Sequence, residues 1–311
     1  MHCFIRFVTV FLLLTLPRLG LSDDRLKSRF LSEYPKASAR LRDNARSIKM
    51  RFELSAYDEG KLTFESKHLY MANDGNIRLD NEPKSPHHRS SGYVIGPEGR
   101  FVVDRNPGES KYFIRKVGPD ATSIEKIRNY SFIPFVSFCD NSGSIADRMK
   151  VRGFVIDAVT ESPVNPAIVM VKYRWGLSPP CSAGEWSFDS SKDWILTGFK
   201  HRQNPDGKWL EVEKQVALEY EGDLDGIPIL KQCMDVNMRT DSGKVAEEKV
   251  IKVTEVSRCN AGPEQFILAA YGVRYQQGPT PDRSWRWLVF GGLIAAIGGI
   301  VLRVFLHRKS E

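Results

Sequence analysis

The chain has 311 residues and a formal net charge of +7, which invites a nucleic-acid or membrane-surface reading. Arg6, Arg18, Arg286, Arg303, Arg308 and Lys309 all lie near the two ends, and without them and Glu311 the excess falls to +2. The central region therefore mixes both signs of charge with no basic block, which excludes a surface built to steer a polyanion.

The two ends have their own signatures. Met1 to Arg6 is a short basic stretch, and Phe7 to Leu16 is an apolar run too short to span a bilayer. Pro17 and the small residues Gly20 and Ser22 follow, the pattern of a secretory signal peptide over 1–22. Near the other end, Trp287 to Leu306 carries one charge, Arg303, over twenty residues. As a helix this reaches about 30 Å, a bilayer's hydrocarbon thickness. Trp285 and Trp287 mark one interface, and Arg303, His307, Arg308 and Lys309 mark the other. The expectation is one transmembrane helix over 285–306, a cytoplasmic tail over 307–311, and an exported domain over 23–275 in the periplasm or outside the cell. Residues 276–284, with Gly278, Pro279 and Pro281, read as the linker. Gly291, Ala295 and Gly299 recur on one face of the span, a small-residue pattern that admits a homodimer.

Between these ends the pattern is mostly that of strands. Asp23 to Ser47 has helical spacing at Leu26, Phe30, Leu41 and Ala45, with a break expected at Pro35. From Ile48 the period becomes two: Ile48, Met50, Phe52 and Leu54 alternate with Lys49, Arg51 and Glu53. Turn residues at Asp58-Glu-Gly60 and Asn73-Asp-Gly75 separate this strand from one carrying Leu62, Phe64 and Leu69 to Met71, and from one carrying Ile77 and Leu79. After a polar loop over 83–91, short strands are expected at Tyr93 to Ile95, Phe101 to Asp104 and Tyr112 to Lys116. Short helices are expected at Ala121 to Asn129 and Ser144 to Lys150. Strands resume at Phe154, Ala167, Glu185, Trp194 and Val212, with Val212, Val216, Leu218 and Tyr220 on one face. Ile227 to Met238 and Val245 to Val256 read as a long hairpin across Asp241-Ser-Gly243, and Phe266 to Tyr271 as a closing strand. The fold class is α+β: a large curved antiparallel sheet with a few covering helices.

Motifs for catalysis are lacking. No H-E-x-x-H, G-x-S-x-G or G-x-G-x-x-G occurs. His87 and His88 are neighbours in a polar loop without a third ligand nearby, and His68 and His201 read as surface residues. No metal and no cofactor is expected, and an enzyme is not. Cys139, Cys181, Cys233 and Cys259 make an even set in an exported region, which suggests two disulfides of open connectivity.

Met50-Arg-Phe-Glu-Leu54, Gly60-Lys-Leu-Thr-Phe-Glu65 and the run from Gly92 to Asp104, following a signal peptide and a helix, resemble the LolA/LolB-like superfamily. Phe266-Ile-Leu-Ala-Ala-Tyr-Gly272 resembles the closing segment of exported, membrane-anchored bacterial relatives, although Val273-Arg-Tyr replaces their usual Leu-Pro-Glu-Pro. The resemblance implies an unclosed barrel whose apolar cavity holds acyl chains, and it carries no catalytic residue. The lipid-binding candidates on that basis are Phe52, Leu54, Phe64, Tyr70, Val94, Phe101, Val103 and Phe113, with a lipid or a lipidated protein as ligand. The alternatives are a structural or protein-interaction module of the envelope, and a hydrolase with dispersed residues.

Overall fold

The computed structural model describes residues 24–120, 139–140, 143–175, 181–203 and 212–274. The chain divides into two compact units, Met1–Val273 and Arg274–Glu311, and every element described below belongs to the first. The expected signal peptide, the helix over 121–129 and the transmembrane span lie outside the described residues. Among the described residues, no helix is long and apolar enough to cross a membrane.

Helix α1, Asp24–Asn44, leads into strand β1, Ile48–Asp58. Five strands follow as a meander: β2 Lys61–Asn73, β3 Asn76–Pro83, β4 Ser90–Gly96, β5 Gly99–Arg105 and β6 Phe113–Val117. A small hairpin of β7, Cys139–Asp140, and β8, Gly143–Ser144, precedes the short helix α2, Ile145–Arg148. The second meander comprises β9 Phe154–Glu161, β10 Ile168–Trp175, β11 Cys181–Asp189, β12 Ile195–Gln203, β13 Val212–Leu224, β14 Ile227–Arg239 and β15 Val245–Arg258. Turn chemistry closes the hairpins: at the β2–β3 turn, Asp74 and Gly75 both have positive φ, 48° and 83°, the geometry of a tight primed turn.

The two meanders form one antiparallel sheet of 13 strands, in the order β6-β5-β4-β3-β2-β1-β15-β14-β13-β12-β11-β10-β9. The first and last strands therefore meet in the middle, where Ile48 pairs with Arg258 and Leu54 with Ile251. The ends of the sheet, β6 and β9, do not pair with each other. This is the large unclosed antiparallel sheet that the resemblance implies.

Each face of the sheet is covered by a different terminal segment. Helix α1 buries Leu26, Phe30, Tyr34, Ala37, Ser38 and Leu41. This stripe at three- and four-residue spacing is the physical reason the segment is a helix. Phe30 stacks on Tyr34 at 5.1 Å and meets Phe188 and Trp194 at 5.2 and 5.4 Å. Trp194 Nε1 donates to Glu33 at 2.9 Å, and Arg258 donates to the carbonyl of Asn44 at 2.7 Å, at the helix's C-terminal end. The expected break at Pro35 is absent: the proline removes one backbone donor, but buried side chains on both sides of it hold the helix in a single run.

The segment after β15 covers the opposite face. Phe266 to Tyr271 is not the expected strand. It forms two short 3₁₀ turns, Pro263–Phe266 and Leu268–Tyr271, lying as a strap against the β3–β5 region. A strand would need a free sheet edge to pair with, and here the sheet is met on its face. Phe266, Leu268 and Tyr271 pack with Met71, Val94, Phe101, Val103 and Cys259. Tyr271 donates to Asp80, and Arg78, paired to Asp80 at 2.7 Å, lies 4.3 Å from the Tyr271 ring centre. Beneath the strap the sheet carries glycine. A Cβ on Gly92 would lie 2.6 Å from the Tyr271 ring, and one on Gly96 would lie 2.0 Å from the carbonyl oxygen of Phe266.

The two expected disulfides do not both form, because Cys233 and Cys259 are free and buried; the side chains of Cys139 and Cys181 lie outside the described residues. Cys233 belongs to the helix-side core and Cys259 to the cluster beneath the strap, so the sheet separates them.

The strap contact yields a prediction. Gly92→Ala should destabilise the domain by about 1–3 kcal/mol. Gly96→Ala should cost more, because it meets backbone where Gly92 meets a side-chain ring. Urea unfolding of the two variants beside the parent protein measures both.

Candidate functional site

Directly opposed residues in an antiparallel sheet project to the same face, so the register assigns every candidate to a side. Phe52 opposes His68, which opposes Asn81, then Ser91, Asp104 and Phe113, in one row across β1 to β6. A second row runs Phe64, Ala56, Lys249, Asp235, Val216, Phe199 and Trp186, from β2 across the centre to β11. Between them lie Ser66, Leu54, Ile251, Cys233 and Leu218. All of these occupy the face on which α1 packs, as the shared core with Phe30 and Phe188 requires.

The expected lipid-binding residues do not share one wall. Phe52 and Tyr70 are fully buried on the helix face, in the same core as α1. Leu54 and Phe64 lie on that face too, half-buried and towards the β1–β2 turn. Phe113 shares the face but sits on the end strand and is exposed. Val94, Phe101 and Val103 point the other way and pack under the strap. Strands β4 and β5 carry apolar residues on both faces, Tyr93, Ile95 and Val102 on one and Val94, Phe101 and Val103 on the other, so their periodicity carries no direction.

The helix face also holds polar groups that the sequence reading placed elsewhere. His68 and His201, expected at the surface, are buried at 8% and 1% exposure. Both stand in the inward phase of their strands, opposite Phe52 and Lys214 respectively. The His68 ring stacks on Phe52 with centroids 4.5 Å apart, and its Nε2 lies 2.7 Å from Ser66 Oγ. Burial holds the His68 pKa down at about 4. His68 Nδ1 and, on the opposed residue, Asn81 Oδ1 are buried atoms without a hydrogen-bond partner.

On the far side of the apolar strip, Lys214 Nζ and Asp235 Oδ2 form a buried ion pair at 2.7 Å. The second carboxylate oxygen, Asp235 Oδ1, is buried without a hydrogen-bond partner. Burial first, and then the negative charge of Asp235, push the neighbouring Cys233 thiol well up, so it is not a nucleophile. Burial likewise raises Tyr220, whose hydroxyl donates to the carbonyl of Leu196 at 2.8 Å.

The site is therefore an apolar strip formed by Phe52, Leu54, Ile251 and Cys233, with a polar wall on each side. His68 on β2 and Asp235 on β14 are three strand spacings apart across the sheet, about 14 Å, and four residues apart along it, about 13 Å. One signal in the sequence pointed to the second wall: Lys214 stands in phase with Val212, Val216 and Leu218, a charge where the alternation calls for an apolar residue. The first wall gave no such signal, because Ser66 and His68 read as ordinary strand residues. Among the described residues, no group of His, Cys, Asp and Glu could hold a metal ion.

No family model matches the chain, and no curated protein matches it. Among solved structures it is similar to a DUF1329 family protein from Desulfovibrio piger, 12% identical over 78% of this chain and 98% of that chain, with a TM-score of 0.45. It is also similar to a LolA superfamily protein from Nitrosomonas europaea, 9% identical over 81% of this chain and 100% of that chain, with a TM-score of 0.44. The Pseudomonas aeruginosa MucA/MucB complex gives 10% identity over 74% of this chain and 100% of that chain, with a TM-score of 0.21. At these scores the likenesses assign neither family nor function. The chain's own geometry defines a β-module with an apolar strip set between polar walls.

The buried imidazole makes the module acid-sensitive. His68 stays neutral in the fold down to about pH 4, whereas its ordinary value is 6.5. Between those values the unfolded chain binds more protons, so stability falls as pH drops through that window, by on the order of 3 kcal/mol. His68→Gln should flatten this dependence, read from urea unfolding at pH 7 and near pH 4.

Proposed function

We propose that this chain is a membrane-anchored envelope protein whose exported sheet binds a lipid, or the acyl chain of a lipidated protein, on its helix face. The observation that carries this reading is the coexistence of a large apolar strip with buried polar atoms lacking protein partners, His68 Nδ1, Asn81 Oδ1 and Asp235 Oδ1. A packed core satisfies its polar groups, and a ligand site combines apolar walls with a few convergent polar groups. An acyl chain is held by area, at about 0.8 kcal/mol per buried CH₂, and needs no catalytic residue. Half-buried Leu54 and Phe64 form the accessible apolar part of this face, backed by the buried Phe52 and Tyr70, while Val94, Phe101 and Val103 serve the strap. The span over 285–306 tethers the domain at the outer side of the cytoplasmic membrane, with the basic tail inside, and Gly291, Ala295 and Gly299 pair two such spans.

A protein-interaction role is the second reading, favoured by Phe113 and Val117, exposed at 37% and 39% on the end strand β6.

A photoreactive acyl lipid fed to cells producing the full chain separates the two. Crosslinks should map by mass spectrometry to β1 and β2. Leu54→Trp, at a half-buried position that tolerates bulk, should lower them roughly tenfold, the factor given by about 1.4 kcal/mol, without lowering the melting temperature. An unlabelled sheet, or labelling indifferent to Leu54→Trp, would sink the lipid reading. Protein crosslinks through β6 alone would favour the second.

A further inference from the structure

The polar wall on β13 to β15 limits what kind of ligand the helix face accepts, granted that it accepts an apolar chain. Four charged side chains stand there in register: Lys214, Asp235, Glu247 and Lys249. They neutralise each other in two pairs, Lys214 with Asp235 at 2.7 Å and Lys249 with Glu247 at 2.8 Å. Asn237 also donates to Glu247, at 2.9 Å. Burial acts to raise the Glu247 pKa, but Lys249, Asn237 and Lys214 outweigh it and hold it below the ordinary value, so the carboxylate is ionised. The wall thus carries no net charge, and its cations are already engaged.

What remains unsatisfied is an acceptor. Asp235 is 5% exposed, and its Oδ1 has no donor from the protein. A buried carboxylate oxygen in this position calls for a hydrogen-bond donor. Asn81 Oδ1, across the apolar strip, is a second acceptor in the same condition. A ligand carboxylate brings no donor at neutral pH and would set a third negative charge beside Asp235 and Glu247. A hydroxyl or ammonium group supplies the missing donor without that repulsion.

We propose that the lipid taken by the helix face carries a hydrogen-bond-donating head group, of the glycerol or amino type, whose donor is received by Asp235 Oδ1, and that free fatty acids are rejected. This rests on the lipid reading above and adds the identity of the polar end.

The test uses the full chain in amphipol and two photoreactive probes with the same palmitoyl chain, a monoacylglycerol and the free fatty acid, at a pH where the acid is ionised. Peptide mapping confines the readout to residues 48–58, 61–73 and 227–258, apart from any labelling of the membrane segment. The monoacylglycerol should label these peptides at least about tenfold more than the fatty acid, the ratio given by about 1.4 kcal/mol. Asp235→Asn, which removes the charge and keeps the shape, should bring the two probes close to parity. Equal or stronger labelling by the fatty acid in the parent protein overturns the head-group assignment and leaves the lipid reading standing. No labelling of these peptides by either probe overturns both. The parent-protein ratio decides the matter by itself should Asp235→Asn fail to fold, and an unchanged ratio in a folded Asp235→Asn protein also overturns the assignment to Asp235.

Discussion

The pairing of β1 with β15 is the contact on which the rest of the molecule depends. It joins strands some two hundred residues apart in sequence, Ile48 opposite Arg258 and Asp58 opposite Glu247. Without it there are two separate meanders, each with an open edge at the centre of what is now one sheet. Closing so long a loop costs entropy that local hairpins do not pay. The return comes from a continuous helix-side core, in which Phe52, Tyr70 and Leu79 of the first meander join Trp186, Phe188 and Phe199 of the second. The same pairing sends both ends of the domain out from the middle, so the preceding helix and the following strap take opposite faces.

This arrangement explains why the helix face can be both packed and receptive. Helix α1 meets the sheet at β9, where Lys27 donates to the carbonyl of Ile156, and through rings near β11 and β12, where Phe30, Tyr34, Phe188 and Trp194 interlock. Towards the β1–β2 turn the cover thins, and Leu54 and Phe64 are only half-buried. The polar residues lie on either side of this thinner region. Their geometry suits recognition: the Cys233 thiol is held protonated by burial and Asp235, and Lys214 is engaged in an ion pair.

Much of the fold was legible in the sequence because it is local. Alternation located nearly all the strands, and Gly60, Gly75 and Gly243 marked hairpin turns. What could not be read was non-local or two-sided. The β1–β15 register leaves no trace in either strand alone. The direction of Val94, Phe101 and Val103 is hidden because both faces of their strands carry apolar residues. Phe266 to Tyr271 has the composition of a strand, and only the absence of a sheet edge for it to join makes it a strap. Pro35 sits mid-helix because tertiary packing outweighs one lost backbone bond. His68 and His201 were misplaced because histidine carries no preference strong enough to oppose the phase of its strand. Of the strip on the helix face, the alternation of β1 placed Phe52 and Leu54 on one side of their strand, while Ile251 and Cys233 were not singled out for it. Nor was Asp235, since a lone acidic residue in a long strand reads as solvation.

The strap also decides how the domain bears a load. Chain leaving at Val273 is tied to the sheet by Tyr271 on Asp80, by the backbone of Leu268 on Glu98, and by Phe266 seated over Gly96. Behind it stands β15, held by neighbours on both sides. A pull on the C-terminal end is therefore spread across the face of β3 to β5 and into the centre of the sheet. The end strands β6 and β9, which would peel one hydrogen bond at a time, are left out of the line of force.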